Sequence, residues 1–256
     1  MIASLPMYGW PELAPAHDRL WALIRDNLRA EGLEAPETLN RHMPAERTWE
    51  HPDLLLGQTC GLPYRTRLHG QVALVGTPDY GLSEAPAGHY YSLLVVRTDD
   101  AGRGLGDFAA GTLAFNSHDS QSGWAAIHAH AAERGIRFSR TLRCGTHEAS
   151  ARAVAAGRAD IAAIDAITWR LIRRFRPRIA ARLRILEHTA PTPGLPLITA
   201  RPGAVPALFS AVSDAIARLA PAERDALGLR ALVAIPAAAY LAQPTPPAPR
   251  HPATQT

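Results

Sequence analysis

Three loops of this chain carry side chains suited to holding a small anion, and each follows a short apolar run. The first is Asn116-Ser117-His118-Asp119-Ser120-Gln121-Ser122-Gly123, after Thr112-Leu113-Ala114-Phe115. A helix is predicted from about Gly123 to Arg134. A helix start presents backbone N–H groups with no partner inside the helix, and a partial positive charge. Small hydroxyl residues and glycine let an anion approach those groups, and Ser120 and Ser122 add hydroxyl donors. Asp119 or Ser120 alone would serve as a cap; the loop, with Asn116 and Gln121 as well, holds more polar groups than one cap needs.

The second loop is Gly145-Thr146-His147-Glu148-Ala149-Ser150, where Thr146 can cap a helix and His147 falls in its first turn. An imidazole there can donate to an oxyanion. The third candidate is Asp165, after Ile161–Ile164. It caps the following helix, or accepts a hydrogen bond from a protonated ligand or an ammonium group, or both. Tyr8, after the first apolar segment, and Gln58-Thr59-Cys60-Gly61, after Asp53–Leu56, are placed to face a cleft from a different part of the sheet.

An enzymatic reading assembles Cys60, His147 and Asp165 into nucleophile, base and orienter, but nothing in their spacing places them together. The chain holds no G-x-S-x-G elbow, P-loop, post-strand G-x-G-x-x-G or H-E-x-x-H. The expectation is therefore a binding protein with no catalytic residue. Neither a metal nor a cofactor is expected. The two cysteines lack ligand spacing and read as free thiols, and His128 and His130 cannot share a helix face.

These loops need a scaffold. Apolar periodicity predicts helices over Leu13–Ala30, with Gly32 closing it, over His147–Ala156, from Asp165 to about Arg174, and over Pro206–Leu219. Runs at Leu54–Leu56, Val72–Val75, Ser92–Val96, Thr112–Phe115, Thr141–Leu142, Ile161–Ile164, Arg184–Leu186 and Leu197–Thr199 read as short strands. Several are apolar on both faces, as in covered sheets. Alternating strands and helices indicate an α/β fold with mostly parallel sheets. From Pro244 on, Pro, Ala and Thr predict a disordered tail.

Composition narrows the function classes. The apolar fraction is 47% and the charged fraction 20%, as in globular domains. No window approaches the roughly 18 consecutive apolar residues of a spanning helix. All 27 basic residues are arginine, spread along the chain without an aromatic-interleaved motif, so no nucleic-acid partner is expected. The start has no basic n-region and no long apolar stretch. As encoded, the chain is expected in the cytoplasm; with a leader missing, in the periplasm.

Four segments resemble one family: Leu54 through Tyr64, Leu113 through Trp124, Ala153 through Asp165, and Gly194-Leu195-Pro196-Leu197-Ile198-Thr199. They look like the phosphate/phosphite/phosphonate-binding proteins of ABC transporters, and the similarity extends from about Leu5 to Leu232. It implies a two-lobed type 2 periplasmic-binding fold, with sheets flanked by helices and two hinge strands near Leu93–Val96 and Leu186–Pro191. Lobe 1 would combine 1–92 with 190–243, lobe 2 would be 93–189, and the tail 244–256. The family's Ser-Thr-Ser-Gly anion loop corresponds to Ser120, Gln121, Ser122 and Gly123. Its helix-start histidine corresponds to His147, its later carboxylate to Asp165, and its first-strand tyrosine to Tyr8.

The resulting expectation is a monomer that binds a small phosphate- or phosphonate-like oxyanion, as the substrate-binding component of an ABC-type uptake system with a permease partner. It does not insert in a membrane. The ligand contacts would be Tyr8, Gln58, Thr59, Asn116, Ser120, Gln121, Ser122, Gly123, His147, Ser150 and Asp165, with hinge closure over the ligand. The alternative is a cytoplasmic enzyme or sensor on the same fold with a different small ligand.

Overall fold

The structure, a computed structural model, describes residues 1–247. The end of the predicted tail, 248–256, lies outside the described residues. In chain order the strands are β1 (Ile2–Ser4), β2 (Leu54–Gln58), β3 (Ala73–Asp79), β4 (His89–Tyr90), β5 (Ser92–Arg97) and β6 (Thr112–Phe115). They continue as β7 (Arg140–Arg143), β8 (Ile161–Asp165), β9 (Leu183–His188), β10 (Thr192–Pro193), β11 (Leu197–Thr199) and β12 (Ala231–Val233). The principal helices are α1 (Ala14–Ala30), α2 (Ala126–Ala132), α3 (His147–Ala155), α4 (Ala166–Phe175) and α5 (Val205–Arg218).

The chain divides into two compact units. One comprises Met1–Tyr90 and Pro191–Ala242; the other comprises Tyr91–Ala190, with the described residues from Gln243. The chain therefore passes between them at Tyr90–Tyr91 and again at Ala190–Pro191. The residues expected to serve as hinge strands pair with each other inside the second unit, β5 against β9.

The first unit is built on a sheet of order β1-β2-β11-β3-β12. Only β1 and β2 pair in parallel; β11 runs against both of its neighbours, and β12 runs against β3. Helix α5 packs on β3 and β12 of this sheet and against α1. The apolar residues Leu20, Leu23, Ile24 and Leu28 of α1 are buried, as their spacing requires, and Gly32 follows the helix at φ 78°. Trp49, Leu54, Tyr64, Leu68, Ile198 and Tyr240 form a further core cluster, in which Tyr240 Oη meets Thr77 Oγ1 at 2.6 Å.

The second unit has a sheet of order β7-β6-β8-β5-β9. Strands β7, β6 and β8 pair in parallel, while β5 runs against β8 and β9. Leu94, Val96, Leu113, Ile127, Ile161 and Ala163 anchor its core. Each fully buried Leu, Ile or Val contributes roughly 1.5–3 kcal/mol of transfer free energy.

The α/β layering follows the sequence reading, but the sheets are mixed rather than mostly parallel. A strand apolar on both faces reports that both faces are covered. It carries no information about the direction of its neighbours; among the strands predicted from sequence β5 and β11 are reversed, and β12 is reversed as well. Elements without a strong pattern also escaped the reading: β1 and β12 have three residues each, and β4 and β10 two. Among the described residues, no single helix is long and apolar enough to cross a membrane.

Candidate functional site

The parallel triplet β7-β6-β8 fixes the geometry of the second unit's polar cluster. Three neighbouring parallel strands deliver their carboxyl ends to one edge of the sheet, where α/β folds gather ligands. The loop after central β6 therefore lies between the start of α3, after β7, and Asp165, at the end of β8. Backbone bonds extend the ladder past the strand ends, with Cys144 N donating to Phe115 O at 2.8 Å and Gly145 N to Asn116 O at 2.9 Å.

Ser120 ends the loop in extended conformation, and its Oγ accepts from Gly123 N at 2.9 Å, making it the cap. Residues Gln121–Ala125 then form one wide turn with i→i+5 bonding before α2 begins. Such turns recur at functional sites because they redirect side chains within a helix. Ser120, Gln121 and Ser122 are all buried. Ser92 Oγ donates to Ser122 O at 2.9 Å, tying the turn to β5.

Gly123 is required by sterics. A Cβ there would sit 2.0 Å from Asn116 Oδ1 and 3.1 Å from His147 Cε1. Asn116 Oδ1 is itself buried without a hydrogen-bond partner. The polar loop around Ser122 is thus packed to contact distance, and it retains unspent hydrogen-bonding capacity.

His147 Nε2 lies 2.9 Å from Ser122 Oγ and 3.4 Å from Asp165 Oδ2. Burial holds the imidazole below its ordinary pKa, partly offset by the Asp165 carboxylate and the Ala163 carbonyl. The ring is therefore neutral near pH 7. Which of Ser122 and His147 donates is set by the ring tautomer; a hydrogen on Nε2 faces Asp165 and Ser122 together. In that tautomer Ser122 Oγ accepts and its own hydrogen is left to donate elsewhere. In a Ser-His-Asp relay the hydroxyl and carboxylate occupy opposite ring nitrogens. Here Ser122 and Asp165 face the same nitrogen, so the three residues lack the geometry of that relay.

Asp165 caps α4, with Oδ1 accepting from Thr168 N at 2.8 Å and Oδ2 accepting from Thr168 Oγ1. It therefore both caps and faces His147. Ser150 is fully buried and donates its hydroxyl to Thr146 O at 3.1 Å, one turn back along α3. Thr146 caps α3 through Ala149 N at 3.0 Å. The structure thus brings together Asn116, Ser120, Gln121, Ser122, Gly123, His147 and Asp165, while the Ser150 hydroxyl is engaged within α3.

The remaining predicted residues belong to the first unit. Strands β1, β2 and β3 run in one direction, so Tyr8, Gln58 and Tyr80 follow their carboxyl ends. Gln58 Nε2 donates to Tyr80 Oη at 3.3 Å, and the Tyr8 ring meets Tyr80 edge-on, centroids 5.0 Å apart. These three side chains line a mostly apolar cavity with Leu13, His17 and Leu229. Thr59 is fully buried, with its hydroxyl unpartnered. Tyr80 was missing from the sequence reading, which ended its strand at Val75; β3 continues to Asp79. Cys60 lies in this unit and His147 in the other.

Behind the anion loop, the His128 ring packs 4.0 Å from that of Trp124, and burial lowers its pKa to about 4. A depressed imidazole pKa means that the unfolded chain takes up the proton first as pH falls. Stability should therefore be lost from about pH 6.5 down to about 4, by at most about 3 kcal/mol for this group. Burial depresses His147 and His17 as well, in the same sense. Urea unfolding across this range should show a clearly shallower pH slope in His128→Phe. An identical slope in the variant would remove His128 as the cause.

The family model for the periplasmic substrate-binding protein of the phosphonate ABC transporter matches residues 56–239. Among solved structures, methylphosphonate-bound PhnD1 from Prochlorococcus marinus is 13% identical at a TM-score of 0.67, over 89% of this chain and 90% of that one. XAC2383 from Xanthomonas citri, solved with ATP, is 18% identical at 0.66, over 87% and 88%. The binding-protein component of an ABC phosphonate transporter from Pseudomonas aeruginosa is 16% identical at 0.61, over 89% and 77%. These likenesses are those of the type 2 periplasmic-binding fold. No curated protein matches the chain.

Proposed function

This chain belongs to the periplasmic substrate-binding proteins of phosphonate ABC transporters, and from that premise we propose that its ligand is a small oxyanion seated on the Ser120–Gly123 turn. Members of this family bind small ligands for an ABC permease, and the alternative of an enzyme or sensor is not favoured. The observation carrying the oxyanion reading is the Ser122–His147–Asp165 contact, which gathers buried hydrogen-bonding side chains at the Ser120–Gly123 turn. The Ser120 hydroxyl accepts from Gly123 N and lies 3.5 Å from Ser122 Oγ, and in this reading a ligand oxygen draws the hydrogens of both hydroxyls. The backbone N–H groups at the start of the turn add to this donor set.

Asp165 sharpens the choice of ligand. A fully ionised anion beside a buried carboxylate is repelled, so the site favours an oxyanion that carries a proton or an ammonium-bearing substituent. Tyr8, Gln58 and Thr59 are the proposed contributors from the first unit, with Tyr80 supporting them. The proposed compartment is the periplasm, that of the family, the proposed partner its permease, and the proposed state a monomer that closes about its hinge.

A thermal-shift panel tests the reading with phosphate, phosphite, methylphosphonate, 2-aminoethylphosphonate, sulfate and small carboxylates. A ligand at 100 times its Kd adds about 2.7 kcal/mol of stability, a rise of roughly 5–10 °C in Tm. At least one phosphorus oxyanion should produce it. A panel in which only carboxylates shift the protein, or nothing does, rejects the assignment.

A further inference from the structure

Tyr8 is the one non-glycine residue with positive φ among the described residues, at 57°. A residue with a Cβ is disfavoured there, and such a conformation persists only where its surroundings over-determine it. The chain reaches it from Pro6 and leaves through Gly9 into α1, and its carbonyl accepts two hydrogen bonds. Trp10 N donates at 2.8 Å, closing the local turn, and His17 Nε2 donates at 3.2 Å from the first turn of α1.

The second bond joins the loop to the helix. His17 is 8% exposed, its Nδ1 is buried without a hydrogen-bond partner, and desolvation holds the ring below its ordinary pKa. A neutral imidazole has one N–H, and here it is committed to the Tyr8 carbonyl. No side chain accepts from His17. Its polar function is spent on one strained backbone position, whose side chain packs against Tyr80 beside Gln58.

We propose that His17 is a positioning residue: it holds Tyr8 in the left-handed conformation that sets the Tyr8 ring against Tyr80, fixing the first unit's contribution to ligand binding. This rests on the reading of Tyr8 as a ligand contact, which the test separates from the holding role.

Two readouts are needed. In ligand-free protein, amide hydrogen exchange at Trp10 reports whether the Tyr8 turn is held. His17→Leu, which keeps the bulk and loses the donor, should accelerate it about tenfold, and His17→Gln, which keeps an N–H donor, should restore it to within about threefold of the parent. By calorimetry with methylphosphonate, His17→Leu should weaken binding about tenfold while His17→Gln stays near the parent. A cycle with Tyr8→Gly guards against a general folding defect. Glycine adopts the turn unaided, so adding His17→Leu to Tyr8→Gly should leave Trp10 exchange almost unchanged.

Unchanged exchange in His17→Leu overturns the proposal, as does equal acceleration in the Tyr8→Gly background. Faster exchange with unchanged methylphosphonate affinity overturns the ligand-positioning part. If the parent protein binds no methylphosphonate, the affinity arm uses the phosphorus oxyanion that does shift it; if none does, the ligand reading fails, while the exchange arm still decides whether His17 holds Tyr8.

Discussion

Replacing Ser120 and Ser122 together by alanine lowers oxyanion affinity by at least two orders of magnitude. Each hydroxyl supplies a hydrogen bond to a charged acceptor, worth about 1.5–3 kcal/mol, so losing both costs about 3–6 kcal/mol, or 10²–10⁴ in Kd. The Ser120 change also removes the cap on Gly123 N, and the Ser122 change removes the hydroxyl partner of His147 Nε2. Calorimetry on the best ligand of the panel measures the effect, and thermal unfolding in its absence separates it from lost stability. Ligand-free stability should fall by only about 1 kcal/mol, the worth of a helix cap. An unchanged Kd would remove the turn from the site.

The second large effect is on stability. Gly88 has φ 71°, and a Cβ there would lie 2.2 Å from Val233 Cγ2 and 3.1 Å from Ile235 Cδ1. Gly88→Ala therefore combines left-handed strain with overpacking against a β-branched side chain that has few alternative rotamers. Together these predict a loss of about 3–5 kcal/mol, or a fall in Tm of roughly 6–20 °C. Gly32→Ala is the internal control: its φ is similar, 78°, but its Cβ would meet nothing within 4 Å. That variant pays the backbone term alone, about 1–2 kcal/mol. Equal losses in the two variants would mean that the close approach at Gly88 is relieved at no cost.

The second unit's cluster was the more legible part of the site because its signals are local. Ser120 capping Gly123, Thr146 capping α3 and Asp165 capping α4 each depend on residues three apart in sequence. The meeting of Ser122, His147 and Asp165 depends instead on strand order. Nothing local to residues 112–165 states that β6 lies between β7 and β8. The resemblance, not the periodicity, carried that information. Tyr80 and His17 were illegible for a related reason. Tyr80 contributes through an edge-on contact with a residue 72 positions earlier, and His17 through a bond to a backbone carbonyl, which leaves no trace in residue type. Sheet direction failed on β5 and β11, whose apolar runs read alike whichever way the neighbours point.

The strand order of the first unit also constrains how the protein is made. Its sheet runs β1-β2-β11-β3-β12, and β11 (Leu197–Thr199) fills the position between β2 and β3. A ribosome delivers β2 and β3 more than a hundred residues before the strand that joins them, with all of Tyr91–Ala190 in between. Until then both strands present unpaired edges, the surfaces through which nascent chains associate wrongly. The sheet of the second unit comes from one continuous stretch, Ser92–His188, and is completed first. The first unit is thus the last to finish folding, and its central seam closes only after β11 has followed the whole of Tyr91–Ala190.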